Sequence, residues 1–96
     1  MLTIDRIKKT VSKYGKRYGI KSAYLFGSYA KGNANEKSDV DILIERGNID
    51  NLYDLSGFRL DIIDELGTDV DVITTGSIRP RFFNLIKDDR ILLYAA

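Results

Sequence analysis

The chain has 96 residues, a net charge of +1 from 15 Lys and Arg against 14 Asp and Glu, and neither cysteine nor histidine. This length suits one domain, residues 1–96, and is too short for two. The two missing residue types exclude disulfides, a thiolate nucleophile, an imidazole base and zinc sites built on Cys or His. Any chemistry must therefore use carboxylates, hydroxyls, Lys and Arg, or a hard cation held by oxygen atoms.

Targeting signals are not evident in the sequence. The N-terminal residues lack the apolar run of a signal peptide, and no stretch approaches the ~18 apolar residues of a membrane span. A cytoplasmic protein without a membrane partner is the simplest interpretation. The near-zero net charge disfavours a dedicated nucleic-acid binder, so we expect no direct nucleic-acid binding.

The first predicted element is an amphipathic helix that Thr3 caps and Gly19 ends. Its apolar stripe, at three- and four-residue steps, consists of Ile4, Ile7, Val11, Tyr14 and Tyr18. Another face is basic and carries Arg6, Lys9, Lys13 and Lys16. Charge is also sorted along the chain: residues 1–22 hold seven Lys and Arg against one acid, whereas residues 36–71 hold eleven acids against three basic residues. We interpret the basic face as solvated, with docking to an acidic partner or a phosphate-bearing ligand as the alternative.

The remaining elements alternate between strands and helices. Strands are predicted over 23–26, 40–45, 69–74 and 91–94, and helices over 52–66 and 78–87. Gly67 is expected to end the helix over 52–66. The apolar stripe of this helix consists of Leu52, Leu55, Phe58, Ile62, Ile63 and Leu66. Arg59 falls on this stripe, so it either extends its charged end to water or points to a partner. The order α-β-turn-β-α-β-α-β is typical of a compact α/β or α+β fold.

A glycine- and serine-containing segment, Gly27 to Gly32, directly follows the first strand. A turn of this kind presents backbone N–H groups to an anion such as phosphate. The segment does not match the P-loop or the dinucleotide fingerprint. Taken alone, it is more often only a turn.

Carboxylates open the second and third strands. Asp39 and Asp41 are alternate residues, so their side chains lie on the same side of a strand and repel each other unless a cation lies between them. A solvated strand end is the alternative. Asp71 interrupts the apolar third strand, whereas Asp69 lies one step outside and is interpreted as solvated. If the two strands are neighbours, Asp39, Asp41 and Asp71 form an oxygen-ligand site suited to Mg²⁺.

Together these motifs resemble those of the minimal nucleotidyltransferases of the DNA polymerase beta superfamily. The resemblance rests on the Gly-Ser segment from Gly27, on the segment from Ser38 to Ile44, and on Leu66-Gly67 leading into Val70-Asp71-Val72. It covers nearly the whole chain from Ala23 onward. It implies the nucleotidyltransferase fold, in which helices pack on a small mixed β-sheet.

The resemblance also implies a role for each motif residue. Gly27 and Ser28 would hold the β- and γ-phosphates of a nucleoside triphosphate, and Lys31 is a further candidate for nucleotide binding. Asp39 and Asp41 would ligate two Mg²⁺ ions, and Asp71 would ligate the catalytic ion and help to activate the attacking hydroxyl. The implied reaction transfers AMP from ATP to an acceptor hydroxyl and releases pyrophosphate.

Chains this short resemble the antitoxin half of two-gene modules whose partner is a helical HEPN-type ribonuclease toxin. The resemblance implies that AMP is added to a hydroxyl of that toxin, with tyrosine as the expected acceptor. One alternative is a non-catalytic antitoxin that neutralises its partner by occlusion. Another is a stand-alone transferase acting on a small molecule or nucleic acid, which the short chain and near-neutral charge disfavour. For Tyr29, packing, stacking on a base and contact with the partner are all open.

Overall fold

The fold was taken from a computed structural model, which describes residues 2–77, 81 and 89–96. Its elements are, in chain order, α1 (Ile4–Tyr18), β1 (Ser22–Phe26), α2 (Gly27–Lys31), β2 (Val40–Glu45), α3 (Leu52–Leu66), β3 (Val70–Thr74) and β4 (Ile91–Ala95). A 3-10 turn over Thr75–Ser77 follows β3. The helix predicted over 78–87 lies outside the described residues, apart from Arg81. The segment predicted as a turn after the first strand forms a short helix, α2.

Both long helices are capped at each end, and the predicted ends at Thr3, Gly19 and Gly67 are confirmed. The cap at the start of α3, Asn51, was not predicted. The Thr3 side chain accepts a hydrogen bond from the Arg6 N–H, and Asn51 accepts one from the Asp54 N–H. Gly19 and Gly67 end the helices in the left-handed conformation, with φ of 71° and 73°. Such caps satisfy backbone groups that have no partner within the helix. In the described part of the chain, neither of these helices nor any other is long and apolar enough to cross a membrane.

The four strands form one mixed sheet in the order β3-β2-β1-β4. β1 is antiparallel to both β2 and β4, whereas β2 and β3 are parallel. The parallel pair is connected by α3, as parallel neighbours require a crossover. The predicted small mixed sheet with packed helices is confirmed.

The main core lies between one face of the sheet and the helices α1 and α3. Alternate residues of a strand face opposite sides of a sheet. In β2, Ile42 and Ile44 therefore join the main core, whereas Leu43 packs with Phe26 on the other face. The helices contribute fully buried side chains to the main core, among them Ile7, Val11, Phe58 and Ile62.

Two residues of the predicted apolar stripes are exposed. Ile4 is 37% exposed and Leu52 is 77% exposed. Each is the first residue of its helix: Ile4 follows the exposed cap Thr3, and Leu52 follows the exposed cap Asn51. The capped end of each helix faces water. The prediction that these two side chains belong to the buried stripes is wrong.

Part of the basic face of α1 contacts α3. The Lys13 ammonium group lies 2.7 Å from Glu65 Oε1, and a guanidinium nitrogen of Arg6 donates to the Glu65 backbone oxygen at 3.0 Å. Tyr14 donates a further hydrogen bond to the Glu65 carboxylate. These charges join the two helices, while Lys8, Lys9 and Lys16 are exposed.

Candidate active site

The sheet topology brings the predicted motifs to one place. Because β1 is antiparallel to β2, its last residue, Phe26, lies opposite Asp41. Because β2 is parallel to β3, Asp41 in turn lies opposite Asp71. Adjacent strands are about 4.8 Å apart. The turn into α2 and the two carboxylates therefore meet at one end of the sheet.

Gly27 lies directly against Asp41. Its φ is +72°, in the left-handed region, and a Cβ built on it would overlap a carboxylate oxygen of Asp41. Glycine is the residue that satisfies both constraints, since it lacks the Cβ. The chain turns here from β1 into α2, whose N-cap, Phe26, makes no side-chain capping hydrogen bond. The first turn of α2 thus begins beside the carboxylates without a side-chain cap.

Asp41 is half-buried, and the pKa of its carboxyl is raised to about 6, chiefly by burial. The negative charges of Asp71 and Asp39 contribute to this rise, as does a side-chain hydrogen bond with Asp71. Asp71 and Asp39 are exposed. Three carboxylates thus act on one another electrostatically at the start of β2 and β3, and the ionised form of Asp41 is destabilised there.

The donor set of this site suits a hard cation. Within residues 2–77, 81 and 89–96, no group of three or more Asp, Glu, His or Cys is arranged to hold a metal ion. Asp41 and Asp71 lie opposite each other on adjacent strands, and Asp39 is the residue directly before β2. Carboxylate oxygens are the ligands that Mg²⁺ prefers, and a cation would offset both the burial and the repulsion that raise the pKa of Asp41. The residues present therefore fit such an ion.

The other predicted residues occupy separate positions. Ser28 is half-buried in the first turn of α2, and its carbonyl accepts the Asn33 N–H. Lys31 is exposed at the end of α2. Asp69 is exposed, and its carbonyl accepts the Val40 N–H from β2. Tyr29 is 6% exposed and packs in the main core, so packing is the alternative that the structure shows.

Arg59 has a contact that the sequence did not predict. Its Nε donates to the backbone oxygen of Val70 at 2.7 Å, so its head group binds β3 instead of extending to water. The only signal in the sequence was an arginine on an apolar stripe. The contact with the Val70 oxygen, next to Asp71, depends on how α3 packs on the sheet.

The chain was compared with known proteins. The family model for the nucleotidyltransferase domain matches residues 4–93. The Methanocaldococcus jannaschii relative named Putative protein adenylyltransferase MJ0435 is 41% identical over 91 residues, covering 95% of this chain and 92% of the relative. Protein adenylyltransferase MntA of Thermococcus cleftensis is 32% identical over 83 residues, covering 82% of this chain and 84% of the relative.

Solved structures show the same fold. A chain from a crystal structure of a toxin-antitoxin with AMP-PNP matches with a TM-score of 0.79 and 20% identity, over 93% of this chain and 73% of that one. A chain from a re-refined structure of a tri-AMPylated Shewanella oneidensis HEPN toxin in complex with an MNT antitoxin matches with a TM-score of 0.74 and 17% identity. That match covers 98% of this chain and 74% of the other. The resemblance to minimal nucleotidyltransferases is confirmed, and the chain belongs to the nucleotidyltransferase domain family.

Proposed function

We propose that this protein is an antitoxin that transfers AMP from ATP to a tyrosine hydroxyl of a cognate HEPN-type toxin and thereby neutralises it. The observation that carries the proposal is the Asp41–Asp71 pair on adjacent parallel strands, with Gly27 packed against it. The names of its relatives support the transfer of AMP to a protein, and the AMPylated HEPN toxin in a structural neighbour supports the partner.

Asp39, Asp41 and Asp71 would hold Mg²⁺, with two ions expected. When bound, Mg²⁺ supplies charge stabilisation to the attacking and leaving oxygens of an in-line displacement at phosphorus. Gly27 and Ser28, at the start of α2, would bind the β- and γ-phosphates through their backbone N–H groups, and Lys31 is a further candidate for that contact. The presence of AMP-PNP in the crystal structure of a structural neighbour supports a nucleotide substrate.

In the proposed reaction, the oxygen of the acceptor hydroxyl forms a bond to the α-phosphorus of ATP. The bond from that phosphorus to the oxygen bridging to the β-phosphate breaks, and pyrophosphate leaves. The hydroxyl proton must go to a base, and Asp71 is exposed and therefore accessible to an acceptor on another protein. In the proposal, the partner protein supplies that acceptor.

The test uses ATP labelled at the α-phosphate, Mg²⁺ and the proposed cognate HEPN protein. We expect label on the HEPN protein, and mass spectrometry should assign AMP to a tyrosine. Asp41→Asn and Asp71→Asn should each lower the labelling rate about 100-fold or more, which corresponds to about 2.7 kcal/mol of lost transition-state stabilisation. ATP labelled at the γ-phosphate should give no labelled protein.

Asp64→Asn is the matched control, because Asp64 is an exposed carboxylate on α3 and is not among the groups that raise the pKa of Asp41. This variant should label the HEPN protein at the wild-type rate. Equal labelling by Asp41→Asn would contradict the proposal. If a folded Asp41→Asn variant still neutralises the toxin at stoichiometric amounts without labelling it, occlusion is the mechanism instead.

A further inference from the structure

The edge strand β3 carries Asp71 but has one strand neighbour, β2, in the part of the chain that the structure describes. Backbone carbonyls alternate in direction along a strand. The Asp69 carbonyl accepts the Val40 N–H and so faces β2. The Val70 carbonyl therefore faces the outer edge of the sheet, where no further strand among the described residues supplies a donor.

Arg59 supplies that donor. It lies on α3 between Leu55 and Ile63, which pack against the main core, and is itself half-buried. Its Nε donates to the Val70 oxygen at 2.7 Å. A hydrogen bond from a charged donor is stronger than one between neutral groups. The ion pairs found among residues 2–77, 81 and 89–96 are Lys13–Glu65 and Lys21–Glu45, so within that part of the chain Arg59 acts on the backbone and not on a carboxylate.

This contact bears on the site because of where the peptide lies. The Val70 carbonyl and the backbone nitrogen of Asp71 belong to the same peptide unit. Fixing the plane of that peptide restricts the backbone of Asp71 and hence the direction of its side chain, which must meet Asp41 on the neighbouring strand.

We infer that Arg59 is a positioning residue, which holds β3 so that Asp71 and Asp41 present their carboxylates together to a divalent cation. The inference rests on the metal-binding role of these carboxylates in the proposed function. Arg59 itself touches neither the nucleotide nor the cation in this role. Its loss should therefore weaken cation binding and lower kcat while the KM for ATP changes little.

The test measures Mn²⁺ binding to the free protein by electron paramagnetic resonance, without nucleotide or toxin. We expect Arg59→Met to weaken Mn²⁺ affinity about tenfold, the effect typical of residues that orient metal ligands. Arg59→Lys retains a charged donor and should recover much of the affinity. In the labelling assay, Arg59→Met should lower kcat and leave the KM for ATP within about twofold.

Arg6→Met is the matched control, since Arg6 also donates from its guanidinium group to a backbone oxygen, that of Glu65, at 3.0 Å. It should bind Mn²⁺ like the wild type. Unchanged Mn²⁺ affinity in Arg59→Met, or equal losses in Arg6→Met, would overturn the inference. Should Arg59→Met fail to fold, Arg59→Gln replaces it, with the same loss expected.

Asp71→Asn separates this inference from the proposed function. If the wild type binds Mn²⁺ and Asp71→Asn does not, the metal site stands, and an unaffected Arg59→Met then overturns the role of Arg59 alone. If the wild type binds no Mn²⁺, or Asp71→Asn binds it equally well, the metal site fails and the inference fails with it.

Discussion

Gly27 and Asp41 are in direct contact, although they belong to two motifs separated by the whole of α2 and a loop. The α-carbon of Gly27 occupies the space beside the Asp41 carboxylate, and a side chain on residue 27 would enter it. The antiparallel pairing of β1 with β2 produces this contact, since it places Phe26 opposite Asp41. The glycine therefore serves the geometry of the carboxylate as well as the turn into α2.

Gly27→Ala should lower transfer activity about 100-fold, because a misplacement of about 1 Å in a reacting group can cost that much. The added methyl group would displace the Asp41 carboxylate or move α2 away from it. A left-handed φ also costs about 1–2 kcal/mol in a residue with a Cβ. Labelling of the toxin and urea unfolding measure the two effects separately.

Gly67→Ala separates the cost of a left-handed backbone conformation from the effect of the contact with Asp41. Gly67 has nearly the same φ, +73°, but no atom of the described residues comes within 4 Å of a Cβ placed on it. This variant should lose about 1–2 kcal/mol of stability and keep its transfer activity. Comparable activity losses in both variants would show that the contact with Asp41 does not matter.

Asp41→Asn should stabilise the protein at neutral pH. The pKa of Asp41 is raised to about 6 in the folded state, from 3.8, chiefly by burial, so the folded protein holds this proton more tightly than the unfolded chain. The associated stability is fully present below pH 3.8 and is lost as the pH rises through 6. One pKa unit corresponds to about 1.4 kcal/mol, and partial exposure reduces the effect, so we expect a gain of about 1 kcal/mol.

Urea unfolding with a chelator at pH 4 and pH 7.5 checks this prediction. The gain from Asp41→Asn should be near zero at pH 4 and complete at pH 7.5. Asp64→Asn, on the exposed side of α3, should show no comparable gain at either pH. An equal gain at both pH values would mean that ionisation of Asp41 is not its source.

The sequence predicted the ends of the long helices well, because the signals are local. Thr3 and Gly19 bound α1, and Gly67 ends α3, as expected. The exposure of Leu52 was not predictable in the same way. Helical periodicity assigns a residue to a face of the helix but does not show how much of that face the sheet covers.

The candidate site was predictable as a set of residue types and only in part as geometry. Asp41 and Asp71 were expected to converge if their strands were neighbours, and β2 and β3 are adjacent. Local patterns do not encode the contact between Gly27 and Asp41 or the bond from Arg59 to Val70, since each depends on pairing between segments distant in sequence. The burial of Tyr29 likewise depends on how α2 packs on the core.

Truncation of Phe58 to Ala should destabilise the protein far more than truncation of Leu60, although the two residues lie only two positions apart on α3. Phe58 is fully buried, and Phe58→Ala should cost about 3–5 kcal/mol through lost contacts and a residual cavity. Leu60 is 56% exposed, and Leu60→Ala should change stability by no more than about 0.5 kcal/mol. Urea unfolding measures both, and similar costs would mean that α3 packs in another orientation.

Tyr18 and Asp61 should be energetically coupled across the interface of α1 and α3. The Tyr18 hydroxyl donates to Asp61 Oδ2 at 2.7 Å, and the pKa of Tyr18 is raised to about 12, chiefly by this bond. Tyr18→Phe keeps the edge-to-face contact with Phe58, whose ring centroid is 5.8 Å away, and so removes little besides the hydroxyl. We expect Tyr18→Phe to cost about 1 kcal/mol, the typical net contribution of one hydrogen bond.

A double-mutant cycle of Tyr18→Phe with Asp61→Asn, followed by urea unfolding at pH 7.5, measures the coupling. It should amount to about 0.5–1.5 kcal/mol, because each single change removes the same bond. The pair Tyr18→Phe and Asp64→Asn is the control and should be additive, since Asp64 is exposed and accepts no hydrogen bond from Tyr18. Additivity in the Tyr18–Asp61 cycle would show that this bond does not hold the two helices together, and that the apolar contacts between α1 and α3 suffice.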